Sequence, residues 1–351
     1  MKKTSFLSVI FLLCFGNSFS QSIEEITPVT NDFLKSLNGK QLQQVSYGFN
    51  DSARTKWTNL PVGMVPRPGI KYGDLSAESK IRFHHILTTV FSSQGYLKTT
   101  SIMQLDDILN EVIADKNKTG NLPDKNYERL KDLQWGFENY YISLWGKPGE
   151  NDPWGLNFGG HHISINLTVS GDEFSITPFF IGSDPAEVQN TKYAGIRVLS
   201  KEEDYGFNLI NSMNKEQQSI ATISMDVPGD IITNPKSDQR LTEYWGIKAN
   251  NLDGKQKEIL VLLIKEYIKN LETEKSAKYL LKIEKSGIDN IYFAWIGEYE
   301  PQKPHYYIIN GPDYLIEYDN KSGNHIHAIW REKGNDFGED ILKEHYLEHK
   351  H

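Results

Sequence analysis

The sequence predicts an α+β fold, a single large domain in which helices pack against a mostly antiparallel sheet. Two observations carry this reading. Amphipathic helical stripes fill the first third of the chain and return over residues 201–285. Strand-like segments over residues 161–180 and 291–331 follow one another through short turns, so parallel βαβ crossovers are not required. No low-complexity linker interrupts the 351 residues, a length that suits one compact body.

Residues 1–20 read as a secretory signal peptide. Met1-Lys2-Lys3 is a basic start, the apolar run from Phe6 to Phe15 is too short to span a bilayer, and Ser18 and Ser20 are small residues suited to cleavage before Gln21. Lipid attachment at Cys14 fits less well, because Phe11-Leu12-Leu13 lacks the small residues such processing prefers. Cleavage after Ser20 removes the only cysteine and leaves residues 21–351 as an exported, periplasmic or extracellular domain without disulfides or thiolate chemistry. Losing Lys2 and Lys3 also takes the formal charge from -8 to -10. No basic run could neutralise a series of phosphates, so nucleic acid is not an expected partner, and no membrane span is expected.

The elements follow in order. Thr30 to Tyr47 reads as a helix with Phe33, Leu34, Leu37, Leu42 and Val45 inward, and residues 54–72, with three prolines, as an irregular surface wrap. A helix capped by Asp74 or Ser76 runs to Gly95. It carries Ile81 and Leu87 inward, with His84 between them as a hydrogen-bonded core histidine. Ser101 to Asp115 is a further amphipathic helix, and Tyr140 to Trp145 a strand. Ile163, Ile165, Leu167 and Val169 alternate with Ser164, Asn166, Thr168 and Ser170, the pattern of a half-buried strand. Glu173 to Phe180 returns beside it, with Pro178 marking an edge or bulge. Helices over Lys201–Met213 and Asn214–Ser224 precede a polar loop from Pro228 to Thr242, with Asp230, Asp238 and Arg240. Helices over Gly254–Leu271, with Leu262 inward, and Thr273–Lys285 come next. Strands at Ile291–Trp295, Tyr306–Ile309 and Tyr314–Tyr318 lead to a histidine strand and a closing helix from Glu339 to His349.

Chemistry is concentrated in two places. In Gly323-Asn324-His325-Ile326-His327-Ala328-Ile329-Trp330-Arg331, strand alternation puts His325, His327 and Arg331 on one face, with the two imidazoles about 6–7 Å apart, within reach of one transition metal. Gly159-Gly160-His161-His162 opens another strand, with His162 on its polar face and His161 on its apolar one. Glu317 shares a face with Leu315 and Asp319 on the preceding strand and is a candidate ligand or general base.

The expected site therefore gathers His162, His325 and His327 on one divalent metal, Zn²⁺ by default where nitrogen and oxygen ligands act without cysteine. Such a metal would acidify a water for attack on an ester, amide or similar bond. Glu317, Arg331 and Asp336 are the candidate catalytic groups, Arg331 as the holder of a carboxylate or phosphoryl oxygen. His161, Asp336 or His345 would support the ligands. The competing reading of each residue is structural: buried histidines satisfied by hydrogen bonds, Asp336 capping the last helix, and Arg331 paired with an acid. For the wet terminal positions His349 and His351 the structural reading is preferred. Gly-x-Ser-x-Gly, phosphate-binding loops, dinucleotide fingerprints and a helical His-Glu-x-x-His are all absent from the sequence. Paired glycosidase carboxylates could be drawn only from Glu173, Glu317 and Asp319, at unknown separation. The alternative to a hydrolase is a non-catalytic exported protein that holds a small molecule, peptide or carbohydrate on aromatic surfaces from Tyr140 to Trp145 or Tyr306 to Tyr318.

An ordered series of motifs resembles a bacterial family catalogued as domain of unknown function 3500. It comprises Trp154-Gly155, Gly160 to Asn166, Thr177 to Gly182, Gly195 to Leu199, Phe293-Ala294-Trp295, Tyr306-Tyr307 and Gly311-Pro312. It continues in Glu317, His325-Ile326-His327, Trp330-Arg331, Asn335 to Gly338 and His345-Tyr346. The resemblance implies an exported protein and one domain over nearly all of the mature chain. It implies no reaction.

Overall fold

A computed structural model describes residues 21–149, 152–235 and 241–348. The expected signal peptide with Cys14, the loop residues Asp238 and Arg240, and His349 and His351 lie outside the described residues. The single helix expected from Thr30 is divided into α1 (Gln21–Lys35) and α2 (Gly39–Val45). Asn38 divides them. Its side chain accepts from Gln41 N while the Gln41 side chain accepts from Asn38 N, a capping box that begins a new helix and leaves Leu42 exposed. β1 (Ser46–Tyr47) and β2 (Ile70–Lys71) flank the proline-containing wrap.

α3 (Ala77–Val90) starts at Ser76, whose hydroxyl accepts from Ser79 N. His84 is held between the hydroxyls of Tyr72 and Tyr96, each at 2.9 Å, and is the hydrogen-bonded structural histidine that its position suggests. Ile81, by contrast, faces solvent. α4 (Ser93–Lys118) is longer than its apolar stripe indicates, because Ser92 caps it eight residues earlier than expected. α5 (Asp124–Lys131), β3 (Tyr141–Trp145), β4 (Trp154–Gly159), β5 (Ile163–Ser170), β6 (Glu173–Ser175) and β7 (Phe179–Ser183) follow. Then come α6 (Ser200–Ser212), α7 (Lys215–Ala221), β8 (Thr222–Ser224), β9 (Ile247–Lys248), α8 (Gly254–Ile268) and α9 (Thr273–Ser286). β10 (Tyr292–Gly297), β11 (His305–Asn310), β12 (Tyr314–Asn320), β13 (Ile326–Glu332) and α10 (Glu339–Glu348) complete the described residues.

The strands form one mixed sheet in the order β1-β3-β4-β5-β7-β13-β12-β11-β10-β8, with β2, β6 and β9 pairing off that path. Every pairing is antiparallel except β1 with β3 and β10 with β8. This is the expected α+β domain. Pro178 interrupts the strand returning from β5, but the part beyond it, β7, is central, between β5 and β13. The expectation of an edge fails here because β7 pairs on both sides only after the proline.

Burial explains which face carries chemistry. Ile163, Ile165 and Leu167 of β5, Ile181 of β7, Ala328 and Trp330 of β13 and Ile316 and Tyr318 of β12 pack beneath the helices in the main core. The opposite face is polar along β5, yet β5 is buried throughout rather than half-buried. The wrap covers it: Trp57 packs tilted against Phe180 at 5.3 Å and Asn157 Nδ2 donates to Arg54 O. Residues 226–235 and 241–246 cover the same face further along, where Ile231 packs on Phe180 and Ile329. The aromatic segments offered as binding surfaces belong to the interior, since Tyr140, Trp145, Tyr306, Tyr307 and Tyr318 are all fully buried.

Candidate metal centre

Three histidines meet where the start of β5, the end of β7 and the start of β13 come together. His162 lies in the bend before β5, held because Gly182 N donates to its carbonyl at 2.8 Å. Gly182 stands opposite His327 in the β7–β13 ladder. A Cβ on Gly182 would lie 2.5 Å from His162 Cδ2, so only glycine lets the His162 ring cross β7 towards β13. The bend itself is pinned by Arg67 from the wrap, which donates to Gly160 O at 2.8 Å and to the carbonyls of Thr58, Leu60 and Val65.

His162 Nε2 is 3.0 Å from His325 Nε2, which is 3.1 Å from His327 Nε2. The rings turn edge-on to achieve this, His325 standing at 88° to His162 and 89° to His327. Strand spacing alone would leave the His325 and His327 imidazoles twice as far apart. His325 precedes β13, where its backbone N donates to Asn320 Oδ1 at 3.0 Å, and from that position its ring swings inward.

Each second ring nitrogen faces a carboxylate. Asp230 Oδ1 accepts from His327 Nδ1 at 2.8 Å, Asp184 Oδ2 lies 3.6 Å from His325 Nδ1, and Asp106 Oδ1 lies 3.8 Å from His162 Nδ1. Asp106, buried on α4, also meets His161 Nδ1 at 3.2 Å and accepts from Tyr140 Oη at 2.8 Å. At His327 the carboxylate holds the proton on Nδ1 and leaves the Nε2 lone pair facing the centre, whereas the two longer contacts place negative charge nearby without a hydrogen bond. Electrostatics agree. Burial, with His161 adjacent, pushes His162 down to about 3, and burial with the neighbouring imidazoles pushes His325 well below the ordinary histidine range. Burial alone would raise Asp106, but hydrogen bonding and charge from His161 and His162 outweigh it and hold that carboxyl low. The centre opens to solvent on the side of His325 and Asp184, both a quarter exposed, whereas His162 is enclosed.

The remaining sequence-based candidates are arranged differently. His161 lies tilted against His162 at 3.6 Å and stacks on Trp135 at 5.6 Å, and a ring nitrogen of it lies within 4.8 Å of one each of His162 and His325. It shares Asp106 with His162. Glu317, Arg331 and Asp336 form a separate cluster around Thr233. Glu317 is buried and accepts from the amides of Ile232 and Thr233 and the hydroxyls of Thr233 and Tyr306. Arg331 donates to Thr233 Oγ1 at 3.0 Å and to its carbonyl at 2.8 Å, and pairs with Asp336. The three hold the loop that carries Asp230. Glu317 is opposite Ile329 across β12 and β13, and it is Asp319 that stands opposite His327. His345 lies on α10, against β6 and the far end of β5. Thr168, beside the start of α10, is six residues or about 20 Å of strand from His162.

A buried cluster of imidazoles backed by carboxylates, on the loop-covered face of a mostly antiparallel sheet, defines the class: an α+β protein with a candidate nitrogen-ligand metal centre. The chain belongs to the family described as Protein of unknown function (DUF3500), whose model matches residues 19–339. No curated protein and no solved structure matches it. Among the described residues no helix is long and apolar enough to cross a membrane.

Proposed function

We propose that this is an exported hydrolase whose reaction depends on one Zn²⁺ held by His162, His325 and His327, with the fourth position left to water. The observation that supports the reading is the approach of His325 Nε2 to both His162 Nε2 and His327 Nε2, at 3.0 and 3.1 Å, with a carboxylate on the Nδ1 side of each ring. An imidazole nitrogen has one proton or one lone pair, so His325 Nε2 cannot form two ordinary hydrogen bonds to its neighbours. Three lone pairs pointed at one another repel, and a cation among them reverses the sign. Tetrahedral Zn²⁺ with bonds near 2.0–2.1 Å separates its nitrogens by about 3.3 Å, close to the spacing here.

A zinc ion with three histidine ligands lowers the pKa of its bound water to about 7 and polarises an acyl or phosphoryl oxygen. The chain's own groups do the rest. Asp230 fixes the tautomer of His327, and Asp106 and Asp184 place negative charge beside His162 and His325. Substrate would approach over His325. Against a panel of ester, amide and phosphoester substrates, the mature protein is expected to show hydrolysis that stops on chelation and returns with Zn²⁺. Turnover that survives proven removal of metal would refute the reading. Mass spectrometry of the exported protein should find Gln21 at the amino terminus, and a lipid-bearing Cys14 would contradict export as a free domain.

A further inference from the structure

We propose that Asp230 and Asp319 hold a second divalent cation, of the hard, oxygen-seeking kind such as Mn²⁺, Mg²⁺ or Ca²⁺, beside the histidine centre. The proposal deepens the metal-centre reading, because His327 borders both sites. One ligand atom from each of Asp230, Asp319 and His327 lies within 4.8 Å of the others. Asp319 is 1% exposed, and its Oδ1 has no hydrogen-bond partner. A buried carboxylate oxygen facing another carboxylate demands a compensating charge.

The backbone amide of Lys321 bonds to the Asp319 carboxylate, but the side-chain donors nearest to the free Oδ1 are engaged elsewhere. Tyr306 stands opposite Asp319 across β11 and β12, but its hydroxyl donates to Glu317. Lys321, the adjacent cation, donates its ammonium to Gly229 O at 2.6 Å. His327 Nδ1 is engaged by Asp230. Asp230 in turn is fixed as an anion: Asn59 Nδ2 reaches its two oxygens at 3.0 and 2.8 Å, and the amide of Ile231 reaches Oδ1 at 2.8 Å. Its Oδ2 keeps lone pairs to spare, and its side chain is 29% exposed, which leaves room for water. Two carboxylates completed by water suit a hard cation, which takes six or more oxygens, better than they suit Zn²⁺. The two sites thus differ in chemistry, nitrogen on one side of His327 and oxygen on the other.

The test uses the full mature chain, stripped of metal, reloaded with one equivalent of Zn²⁺ and titrated with Mn²⁺ while the spin-resonance signal of the free ion is read. One Mn²⁺ per chain is expected. Asp319→Asn should weaken its binding at least tenfold without changing zinc content, and His325→Ala should lower zinc content and spare Mn²⁺. Asp230→Asn, at a more exposed position, should also lose Mn²⁺ and serves if Asp319→Asn fails to fold. A wild-type chain that takes up no Mn²⁺, or carboxylate variants that bind it as tightly as wild type, would overturn the proposal and leave a proton shared between the two acids. Mn²⁺ uptake that depends on Asp319 in a chain holding no zinc would support this subsite while removing the histidine centre, so the two readings fail separately.

Discussion

Replacing His325 and His327 together by alanine is expected to abolish stoichiometric zinc binding while leaving the fold intact. His325 supplies the Nε2 that approaches both other histidines, and His327 is the ligand tied to Asp230. Removing both leaves His162 alone with a single coordinate bond, so zinc affinity should fall by at least a thousandfold. The helical core lies on the other face of the sheet and loses nothing, since the contacts of Ala328 and Trp330 beneath the helices are untouched. Circular dichroism should therefore be preserved while equilibrium dialysis reads no zinc. Single replacement of His349, outside the described residues, should leave zinc content unchanged. A double variant that keeps wild-type zinc would show that the metal, if any, sits elsewhere.

Asp106→Ala should be the most destabilising single change at the site, by about 3 kcal/mol or more, because it removes one partner from a buried charged network. It strands the Tyr140 hydroxyl and frees two imidazoles from the carboxylate that orients them. Urea denaturation of the metal-free protein measures this directly, and a loss below about 1 kcal/mol would mean that the network relaxes around water instead. A pH dependence accompanies it. His162 titrates near 3 in the folded chain. A histidine in the unfolded chain titrates near 6.5, so between those values the unfolded state binds a proton that the folded state refuses. The stability of metal-free protein is therefore full above about pH 6.5 and falls by up to about 1.4 kcal/mol per pH unit for this histidine as the pH drops towards 3. His325 acts in the same direction. Asp106, held low, adds its own loss only below about pH 4.

The parts of the site that were legible in the sequence are those set by local geometry. Alternation along a strand is enough to put His325, His327, Ile329 and Arg331 on one face, whereas His161 and His162 lie in the bend before β5 and both face Asp106, so strand parity does not separate them. What could not be read was register. Glu317 and Asp319 share a face, and only the hairpin from Asn320 to Asn324 decides that Asp319 rather than Glu317 meets His327. The supporting carboxylates come from α4, the end of β7 and a long loop, and proximity of that kind leaves no periodic trace. One signal was present. Asp106 falls four residues after Ile102 and three before Leu109, on the apolar stripe of α4, where a charge needs a buried partner.

The fold divided in the same way. Strongly alternating or apolar segments became strands and helices close to their expected limits, whereas breaks made by side-chain caps, such as Asn38 within the first helix, shifted Leu42 outward. β4 escaped notice because its glycines at 155 and 159 dilute the strand pattern. Those glycines are required by packing: a Cβ on Gly155 would come within 2.9 Å of Leu167 O on the paired strand. The polar side of β5 looked solvent-facing because the wrap that covers it is recognisable only as irregular chain.

Anomalous diffraction at the zinc edge, from crystals of the protein grown without chelator, would show whether a metal lies among the three Nε2 atoms. One peak per chain is expected, about 2.0–2.1 Å from Nε2 of His162, His325 and His327. The absence of a peak, with His325 Nε2 still about 3 Å from both other Nε2 atoms, would contradict the metal centre and assign the cluster to hydrogen bonding alone.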